Sequence, residues 1–227
     1  MKNIAIIPAR SGSKGLPDKN IKELCGRPLM FYSIRAAQES KLFDEIMVST
    51  DSEEYAEVAR QCGASVPFFR SVEQSGDHAG SWDVVREVLN KYLSYERYFD
   101  TVCLLQPTSP LRSKTDIEKG YALLQEKDAD AITSVCEMDH SPLWSMILPD
   151  DNSLAEFRKN IQIMPRQKLS KYHRINGALY IRKIQYAHNV ATLLEKKEYA
   201  YVMDRNRSVD IDTLEDFELA EWYMSRT

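Results

Sequence analysis

Short runs of apolar residues recur along the chain and constrain its fold most strongly. The first, IAIIPA at 4–9, is apolar at every position, and 45–50, 101–106 and 131–135 are further strand-like runs. A strand without polar positions needs cover on both faces, as in parallel sheets enclosed by helices. Stretches with apolar residues at helical spacing separate these runs. The alternation predicts an α/β fold, a three-layer sandwich around a mostly parallel sheet.

Turn and capping residues predict where the helices begin and end. Pro28 and Ser81 stand at the start of two helical stretches, and Asp51 is placed to cap a third that Gly63 ends. The residues TDIE at 115–118 match a capping box. Four further strands are predicted, at 65–69, 178–182, 201–204 and 208–212.

The stretch 137–175 interrupts this rhythm. It contains three prolines and the turn sequence DDNS at 150–153, and polar residues are frequent in it. We interpret it as an excursion from the sheet, a β-arm used for contact between two copies of the chain. The predicted organisation is a single domain over 1–227 with this dimerisation arm inserted at about 137–175.

Composition limits the classes of function. The length of 227 residues favours one domain, and the net charge of −4 argues against a nucleic-acid partner, which would select a basic face. No apolar segment approaches membrane-spanning length, and the four cysteines form no CxxC pair. A cytoplasmic protein with free thiols is therefore expected, with no membrane partner and neither a disulfide nor a zinc site.

The loop after the first predicted strand, PARSGSKGLPDKN at 8–20, is rich in groups that bind anions. Ligands of parallel α/β sheets lie beyond the carboxyl ends of the strands, and glycines there let backbone N–H groups approach a phosphate. The loop has neither a Walker A nor a GxGxxG pattern. Its composition suits a triphosphate, although a solvated surface loop would look similar. The groups concerned are Arg10, Ser11, Gly12, Ser13, Lys14, Gly15 and Lys19.

Three other places carry candidate chemistry. Asp210 and Asp212 are two residues apart on a predicted strand, so both carboxylates would share a face and suit Mg²⁺, or simply be solvated acids. Gln106 ends a strand beside two prolines, as a hydrogen-bonding post or as part of a turn. A further polar group could bind the carboxylate and hydroxyls of a sugar acid, or could simply form a polar strand surface. It comprises Arg166, Arg174, Asn176 and Tyr180.

Four blocks of the sequence resemble the acylneuraminate cytidylyltransferases, the CMP-sialic acid synthetase family. They are PARSGSKGLPDKN followed by GRPL, LLQPTSPLR at 104–112, RINGALYI at 174–181 and SVDIDTLEDF at 208–217. The resemblance implies a nucleotide-binding, Rossmann-like and GT-A-like sheet with a small dimerisation arm, and a homodimer. It implies the reaction of CTP with a nonulosonic acid to give a CMP-sugar and diphosphate.

The resemblance also assigns roles to matching positions. Catalytic roles fall on Arg10, Lys19 and Asp212. The candidate for the general base is either Asp212 or a metal-bound hydroxide. The metal, Mg²⁺ or Mn²⁺, falls on Asp210 and Asp212. Contacts to the nucleotide fall on Arg10, Ser11, Gly12, Ser13, Lys19, Asn20, Arg70, Ser81 and Gln106. Contacts to the sugar fall on Gln106, Arg166, Asn176 and Tyr180, with Arg174 left open, and Trp144 is a further predicted sugar contact that does not come from the resemblance.

One residue departs from the pattern. Trp144 stands where similar sialic acid synthetases tend to carry lysine, and an indole would pack better against an acetamido or deoxy carbon than against a glycerol chain. We therefore expect a diacetamido acid of the legionaminic or pseudaminic type, unless Trp144 only packs on a dimer mate. The rival interpretations are a cytidylyltransferase for the eight-carbon acid KDO, a glycosyltransferase, and a nucleotide-binding module without catalysis.

Overall fold

One seven-stranded sheet forms the centre of the fold in the computed structural model, which describes residues 1–12, 15–76, 80–161, 167 and 169–226. The strands of this sheet and of a separate two-stranded hairpin are β1 (Asn3–Pro8), β2 (Glu23–Leu24), β3 (Arg27–Pro28), β4 (Glu45–Ser49), β5 (Thr101–Leu104), β6 (Ala131–Glu137), β7 (His173–Ala187), β8 (Val190–Leu193) and β9 (Glu198–Met203).

The sheet is mixed but mostly parallel, as the sequence predicts. Its order is β4-β1-β5-β7-β6-β9, with β8 beside β7, while β2 and β3 form the hairpin. The pairs β1–β4, β1–β5 and β6–β9 are parallel, and β7 runs antiparallel to both of its neighbours in the centre. The carboxyl ends of β1, β4 and β5 therefore meet at one edge of the sheet.

Helices cover both faces of the sheet. They are α1 (Leu29–Ser40), α2 (Glu53–Gln61), α3 (Val72–Ser75), α4 (Ser81–Ser94), α5 (Lys114–Glu126), α6 (Ala155–Asn160) and α7 (Leu214–Met224). Successive residues of β1 alternate between two cores: Ala5 and Ile7 pack with α1, α2 and α5, whereas Ile4 and Ile6 pack with α4 and β8. The apolar run at 4–9 is thus covered on both sides, and the predicted three layers are confirmed.

The strand predicted at 65–69 is wrong. Ser65 alone joins the sheet, donating its N–H to the carbonyl of Ile46 at 2.8 Å and accepting from the N–H of Val48 at 3.0 Å. Pro67 follows two residues later and has no N–H to continue the ladder. The chain turns away after this single bridge.

The strand predicted at 208–212 is also wrong. A short 3₁₀ helix at Arg205–Arg207 precedes this segment, and the Thr213 cap of α7 follows it directly. Its Ile211 donates one backbone hydrogen bond to the carbonyl of Thr108 at 2.9 Å, and the Ile211 side chain is fully buried as expected. Confined between two helical segments, 208–212 stays irregular and does not join the sheet.

The helix caps differ from prediction by one or two residues. Ser52, not Asp51, caps α2, and the Asp116 carboxylate accepts from the N–H and the hydroxyl of Ser113, so the capping box begins before 115–118. The prediction also missed β8, which a turn at His188 and Asn189 joins to β7. Both turn residues have positive φ, as type I′ hairpin turns require.

The middle of the inserted segment contains no strand among its described residues, 138–161, 167 and 169–172, whereas its two ends belong to β6 and β7. The middle carries a 3₁₀ helix at Pro142–Trp144 and the helix α6, so these described residues lack the β-structure that we expected of the arm. Prolines and the turn at 150–153 keep this segment out of extended pairing. Its apolar side chains are exposed rather than packed on the sheet. In the parts of the chain that are described, no helix combines the length and the apolar character that crossing a bilayer requires.

A buried ion pair fastens the segment before α7 to the core. The Asp116 carboxylate, which is inaccessible to solvent, accepts from Arg207 at 2.6 Å and from the Tyr201 hydroxyl at 3.0 Å. Burial alone would raise the pKa of Asp116, but the hydrogen bonds from Arg207 and Ser113 outweigh it and lower the pKa below its usual value.

We expect Asp116→Asn to destabilise the protein by about 1–3 kcal/mol at neutral pH, since it removes the carboxylate that binds Arg207, whose side chain is itself 35% exposed. A lowered pKa in the folded state stabilises the protein above the unfolded-state pKa near 4 and loses this effect as the pH falls further. Urea unfolding of both proteins at neutral and acidic pH measures the difference. A deficit that grows on acidification would contradict the assignment.

Candidate active site

A cleft of about 320 Å³ opens at the edge where β1, β4 and β5 end. Its walls come from the loop after β1, the start of α4, the turn after β5 and the segment before α7. The residues that line it are Pro8, Arg10, Gly15, Lys19, Asn20, Arg70, Ser81, Val84, Gln106, Pro107, Thr108 and Asp212. Seven of the predicted nucleotide and catalytic positions are among them.

The cationic side of the cleft contains two arginines. Arg70 donates from Nη2 to the carbonyl of Ser49 at 2.8 Å and from Nε to the Ser49 hydroxyl at 3.2 Å, which fixes its guanidinium at the end of β4. Burial lowers the pKa of Arg70 to about 10, and Arg10 adds to this, while Asp51 and Glu87 oppose it. Arg70 therefore remains charged at neutral pH, and Arg10, which donates to the carbonyl of Ser75 at 3.4 Å, lines the same cleft.

Lys19 connects the first loop with the far end of the chain. Its Nζ donates to the carbonyl of Ile211 at 2.7 Å and to Oδ1 of Asp212 at 2.9 Å, and 193 residues separate Lys19 from Asp212. The Lys19 side chain is 13% exposed, whereas that of Asp212 is 75% exposed. The cationic loop and the acidic segment therefore converge on one cleft.

Gly15 permits this convergence. A Cβ at Gly15 would lie 2.5 Å from the backbone carbonyl oxygen of Asp212, closer than any side chain tolerates. Gly12, in contrast, has open space around it, and Asp51 accepts from the Ser11 N–H at 2.9 Å and its hydroxyl at 3.2 Å. Ser11 and Gly12 do not line the cleft, so the structure does not bring these two predicted nucleotide contacts together with the others. Ser13 and Lys14 lie outside the described residues.

Asn20 and Ser81 line the cleft in supporting positions. The Asn20 side chain is buried and donates to the carbonyl of Arg10 at 3.1 Å, so it fixes the start of the loop. Ser81 is the first residue of α4, after the Gly80 cap, and its hydroxyl accepts from Nε2 of Gln106 at 3.4 Å.

Gln106 stands between two backbone turns at the floor of the cleft. A Cβ on Gly177, which has a positive φ of 76°, would meet Oε1 of Gln106 at 2.7 Å, Oδ2 of Asp210 at 3.6 Å and Oγ of Ser109 at 3.7 Å. A glycine is required here both for its backbone conformation and for the approach of these oxygens. The Gln106 amide thus donates to Ser81, and its oxygen approaches Gly177 as an oxygen of Asp210 also does.

The two aspartates have different surroundings. Burial is the main effect that raises the pKa of Asp210, and the nearby Asp212 carboxylate raises it further. A hydrogen bond from Thr108 and the cations of Lys19 and Arg174 lower the pKa, but the net shift is upward. Asp210 is therefore the partly buried acid of the pair and Asp212 the accessible one. Thr108 was not predicted as a site residue, although it lies in the block LLQPTSPLR.

The donor set fits Mg²⁺. Two carboxylates stand on one short segment, and an amide oxygen of Gln106 and a carboxylate oxygen of Asp210 both approach Gly177. Mg²⁺ takes one or two protein carboxylates and completes its shell with phosphate and water. In the described part of the chain no group of three or more His, Cys, Asp or Glu side chains forms a fuller cage. Asp210 and Asp212 would therefore hold Mg²⁺ only together with a phosphate ligand.

The predicted sugar contacts are dispersed. The Asn176 side chain is buried and fully engaged: Oδ1 accepts from Ser134 at 2.5 Å, and Nδ2 donates to Ser208 at 2.8 Å. Asn176 therefore fastens the segment before α7, and its contact with a sugar stays a prediction. Tyr180 is partly buried, edge-on to Trp82 with ring centroids 5.7 Å apart.

The remaining predicted sugar contacts lie around a second cavity or on the arm. Trp144 is 36% exposed on the 3₁₀ helix of the inserted segment. Arg174 lines a second cavity of about 320 Å³ beside Asp210 and donates to the carbonyl of Ser208 at 3.3 Å. Arg166 lies outside the described residues.

Comparison with known proteins adds a family match. The cytidylyltransferase family model matches residues 4–223. N-acylneuraminate cytidylyltransferase of Streptococcus agalactiae serotype V is 38% identical over 219 residues, which are 96% of this chain and 52% of that protein. The chain thus spans about half the length of this relative.

Two relatives match along nearly their whole length. Pseudaminic acid cytidylyltransferase of Campylobacter jejuni is 34% identical over 97% of this chain and 95% of its own, and CMP-N,N'-diacetyllegionaminic acid synthase of Legionella pneumophila is 34% identical over 99% and 97%. Among solved structures, a CMP:2-keto-3-deoxy-manno-octonic acid synthetase in complex with CTP has a TM-score of 0.71 at 15% identity, covering 100% of this chain and 99% of that one.

Proposed function

Because the chain belongs to the cytidylyltransferase family, we propose that it transfers the CMP group of CTP to the anomeric hydroxyl of a nonulosonic acid and releases diphosphate. The observation that carries this proposal is the convergence of Arg10, Lys19 and Arg70 with Asp212 on one cleft, next to the more buried Asp210. A triphosphate needs the cations, and its activation by a divalent ion needs the acids.

The chain's own residues position and neutralise the triphosphate. Arg10 and Arg70 bind phosphate oxygens at the end of β4, and Lys19 holds the oxygens of the departing diphosphate. Asn20 reaches the ribose from the position where it fixes the carbonyl of Arg10. Ser81 and Gln106 form the junction between nucleotide and sugar, since they already contact each other at 3.4 Å.

Asp210 and Asp212 hold the divalent ion, Mg²⁺ or Mn²⁺, in this proposal. When bound, the ion stabilises the charge on the phosphate and favours ionisation of the attacking hydroxyl. Lys19 contacts the Asp212 carboxylate in the absence of substrate, so the arrival of a phosphate provides Lys19 with an alternative anion. Asp212 would then be free to bind the ion or to accept the proton of the attacking sugar hydroxyl.

For the sugar we propose a diacetamido nonulosonic acid. Two relatives that match along nearly their whole length are named for pseudaminic and diacetyllegionaminic acids, and the apolar face of Trp144 suits acetamido or deoxy carbons. The identities of 34% and 38% do not separate these acids from N-acylneuraminate. The choice therefore depends on Trp144.

A substrate panel tests both levels of the proposal. Diphosphate release is measured with CTP and Mg²⁺ in the presence of diacetyllegionaminic acid, pseudaminic acid, N-acetylneuraminic acid or KDO. We expect release with the first two acids at higher kcat/KM. Preference for N-acetylneuraminic acid would refute the diacetamido choice, and preference for KDO the nonulosonic class. CTP binding without release with any acid would indicate a non-catalytic module.

We also propose that residues 1–227 act as one catalytic unit that dimerises through the inserted segment at about 137–175. The segment displays apolar side chains that a monomer would leave in water: Ile147 is 98% exposed, Leu148 55% and Leu143 43%. A second copy of the chain would cover them.

We expect Ile147→Asp to convert a dimer into a monomer, because a buried carboxylate at the interface costs several kcal/mol. Sedimentation velocity of the two proteins at equal concentration measures the change. Val190→Asp, at a half-exposed apolar position on β8 outside the segment, is the matched control and should leave the mass unchanged. A wild-type protein that sediments as a monomer would refute the dimer.

The cytoplasm is the proposed compartment. All four cysteines are free thiols in the described part of the chain, with Cys103 and Cys136 buried, and such thiols persist best where glutathione and thioredoxin keep them reduced.

A further inference from the structure

Arg112 is a buried cation without an anion beside it. Its side chain lies behind the floor of the cleft at 2% exposure, and no carboxylate of the described residues is within ion-pair distance. The nearby Asp116 carboxylate is occupied by Ser113, Tyr201 and Arg207 instead. The Nε of Arg112 has no hydrogen-bond partner among the described residues.

The contacts of Arg112 are two backbone carbonyls and one hydroxyl. Nη1 donates to the carbonyl of Ala178 at 2.8 Å and to that of Gln106 at 3.3 Å, and Nη2 donates to the Ser33 hydroxyl at 2.5 Å. One planar guanidinium thus joins three elements: the turn after β5, the middle of β7 and the helix α1. A fork of fixed geometry can do this, whereas a lysine ammonium cannot reach all three with the same spacing.

This arrangement is a poor way to gain stability. Burial lowers the pKa of Arg112 to about 10 against the opposing effects of Cys103 and Asp116, so the group is charged at neutral pH in an apolar setting. Buried charges can often be replaced by apolar side chains of similar volume without loss of stability. A role in geometry explains the arginine better than a role in stability.

The two carbonyls that Arg112 binds flank the proposed reaction centre. The Gln106 carbonyl also accepts from the Ser109 N–H and the Ser33 hydroxyl, each at 3.3 Å, so the turn is fixed from three sides. Ala178 directly follows Gly177, whose Cα faces Oε1 of Gln106. The distance between the turn at Gln106 and the part of β7 at Gly177 therefore affects the position of the Gln106 amide.

We propose that Arg112 is a positioning residue that fixes the separation between the turn at Gln106 and the part of β7 at Gly177. It thereby aligns the Gln106 amide with the reacting phosphate and sugar. This inference rests on the proposed function for its catalytic consequence. Its structural part, the clamp on the two turns, stands on the contacts alone.

The test combines kinetics with hydrogen exchange. We expect Arg112→Lys to lower kcat for the preferred acid by about 10- to 100-fold, with KM for CTP changed less than about threefold, as for a small misplacement of a reacting group. Arg60→Lys, at an exposed position on α2, is the matched control and should keep wild-type kinetics. If Arg112→Lys folds poorly, Arg112→Met provides the neutral variant of similar volume.

A double-mutant cycle separates positioning from a general structural effect. If Arg112 acts through Gln106, Arg112→Lys should lower kcat no further in a Gln106→Ala background. Losses that multiply in the double variant would overturn the proposal, as would wild-type kcat in both single arginine variants.

Hydrogen exchange tests the clamp without reference to turnover. Backbone amides of 105–109 and 176–179 should exchange faster in Arg112→Lys than in the wild type, while those of α2 should not change. Unchanged exchange in both turns would refute the clamp. Absence of turnover in the wild type would refute the proposed function only, and the exchange result would still decide on Arg112.

Discussion

Replacing Lys19 with methionine is expected to lower kcat by about 100- to 1,000-fold, the usual effect of removing one electrostatic group that acts on developing charge. Lys19 is the cation that the structure places against the acidic segment, with its Nζ 2.7 Å from the carbonyl of Ile211 and 2.9 Å from Asp212. It is largely enclosed by the cleft, so its charge is screened little by solvent. Methionine keeps the length and apolar stem of the side chain and removes only the charge.

The measurement is steady-state diphosphate release with saturating CTP, Mg²⁺ and the preferred acid. Lys119→Met, an exposed lysine on α5, is the matched control and should retain wild-type kcat. Lys19→Arg tests geometry at constant charge and should recover part of the loss at most, because a fork replaces a point charge. A kcat for Lys19→Met within threefold of wild type would contradict the role assigned to Lys19.

Replacing Asp210 with asparagine is expected to lower kcat by about 100-fold or more and to raise the Mg²⁺ concentration needed for half-maximal activity. Asp210 is the more buried acid of the pair, held by Thr108 and facing the Gln106 amide. Asparagine preserves shape and one oxygen but removes the negative charge that retains a divalent ion. The effect should exceed that of Asp212→Asn, whose carboxylate is largely exposed.

Titration of kcat with Mg²⁺ and with Mn²⁺ measures the second prediction. Asp128→Asn, at an exposed turn with surface ion pairs, is the matched control and should leave both curves unchanged, since such pairs contribute little. Asparagine also tolerates the positive φ at this turn. An Asp210→Asn enzyme with a wild-type Mg²⁺ curve would rule out Asp210 as a metal ligand.

Local patterns in the sequence predicted what local forces decide. The apolar run at 4–9 became β1 with both faces covered, and the helical spacing after Ser81 became α4. The resemblance to acylneuraminate cytidylyltransferases is confirmed at the level of the family by a match over residues 4–223. Site residues that lie within a few positions of a strand end, such as Arg10 and Gln106, line the cleft, and their contacts with a ligand stay predictions.

Long-range contacts decided the features that the sequence did not predict. The segment 208–212 has the composition of a strand, but the caps on either side and the hydrogen bond to Thr108 keep it outside the sheet. Asn176 has the chemistry of a sugar ligand, yet Ser134 and Ser208 use its amide in full. Ser11 donates its N–H and its hydroxyl to Asp51, an acid that was predicted to cap a helix. Each case depends on a partner distant in sequence.

The contact between Lys19 and Asp212 has a consequence for how the protein is made. Because 193 residues separate the two, the first loop emerges from the ribosome long before its acidic counterpart is translated. The nascent chain can complete the β1–β4 pair early, but the cationic loop has no carboxylate to meet until Asp212 has been translated. The cleft therefore closes only after all strands of the sheet have been made, and a polypeptide stalled shortly before Asp210 would carry the whole sheet without the acidic wall of the cleft.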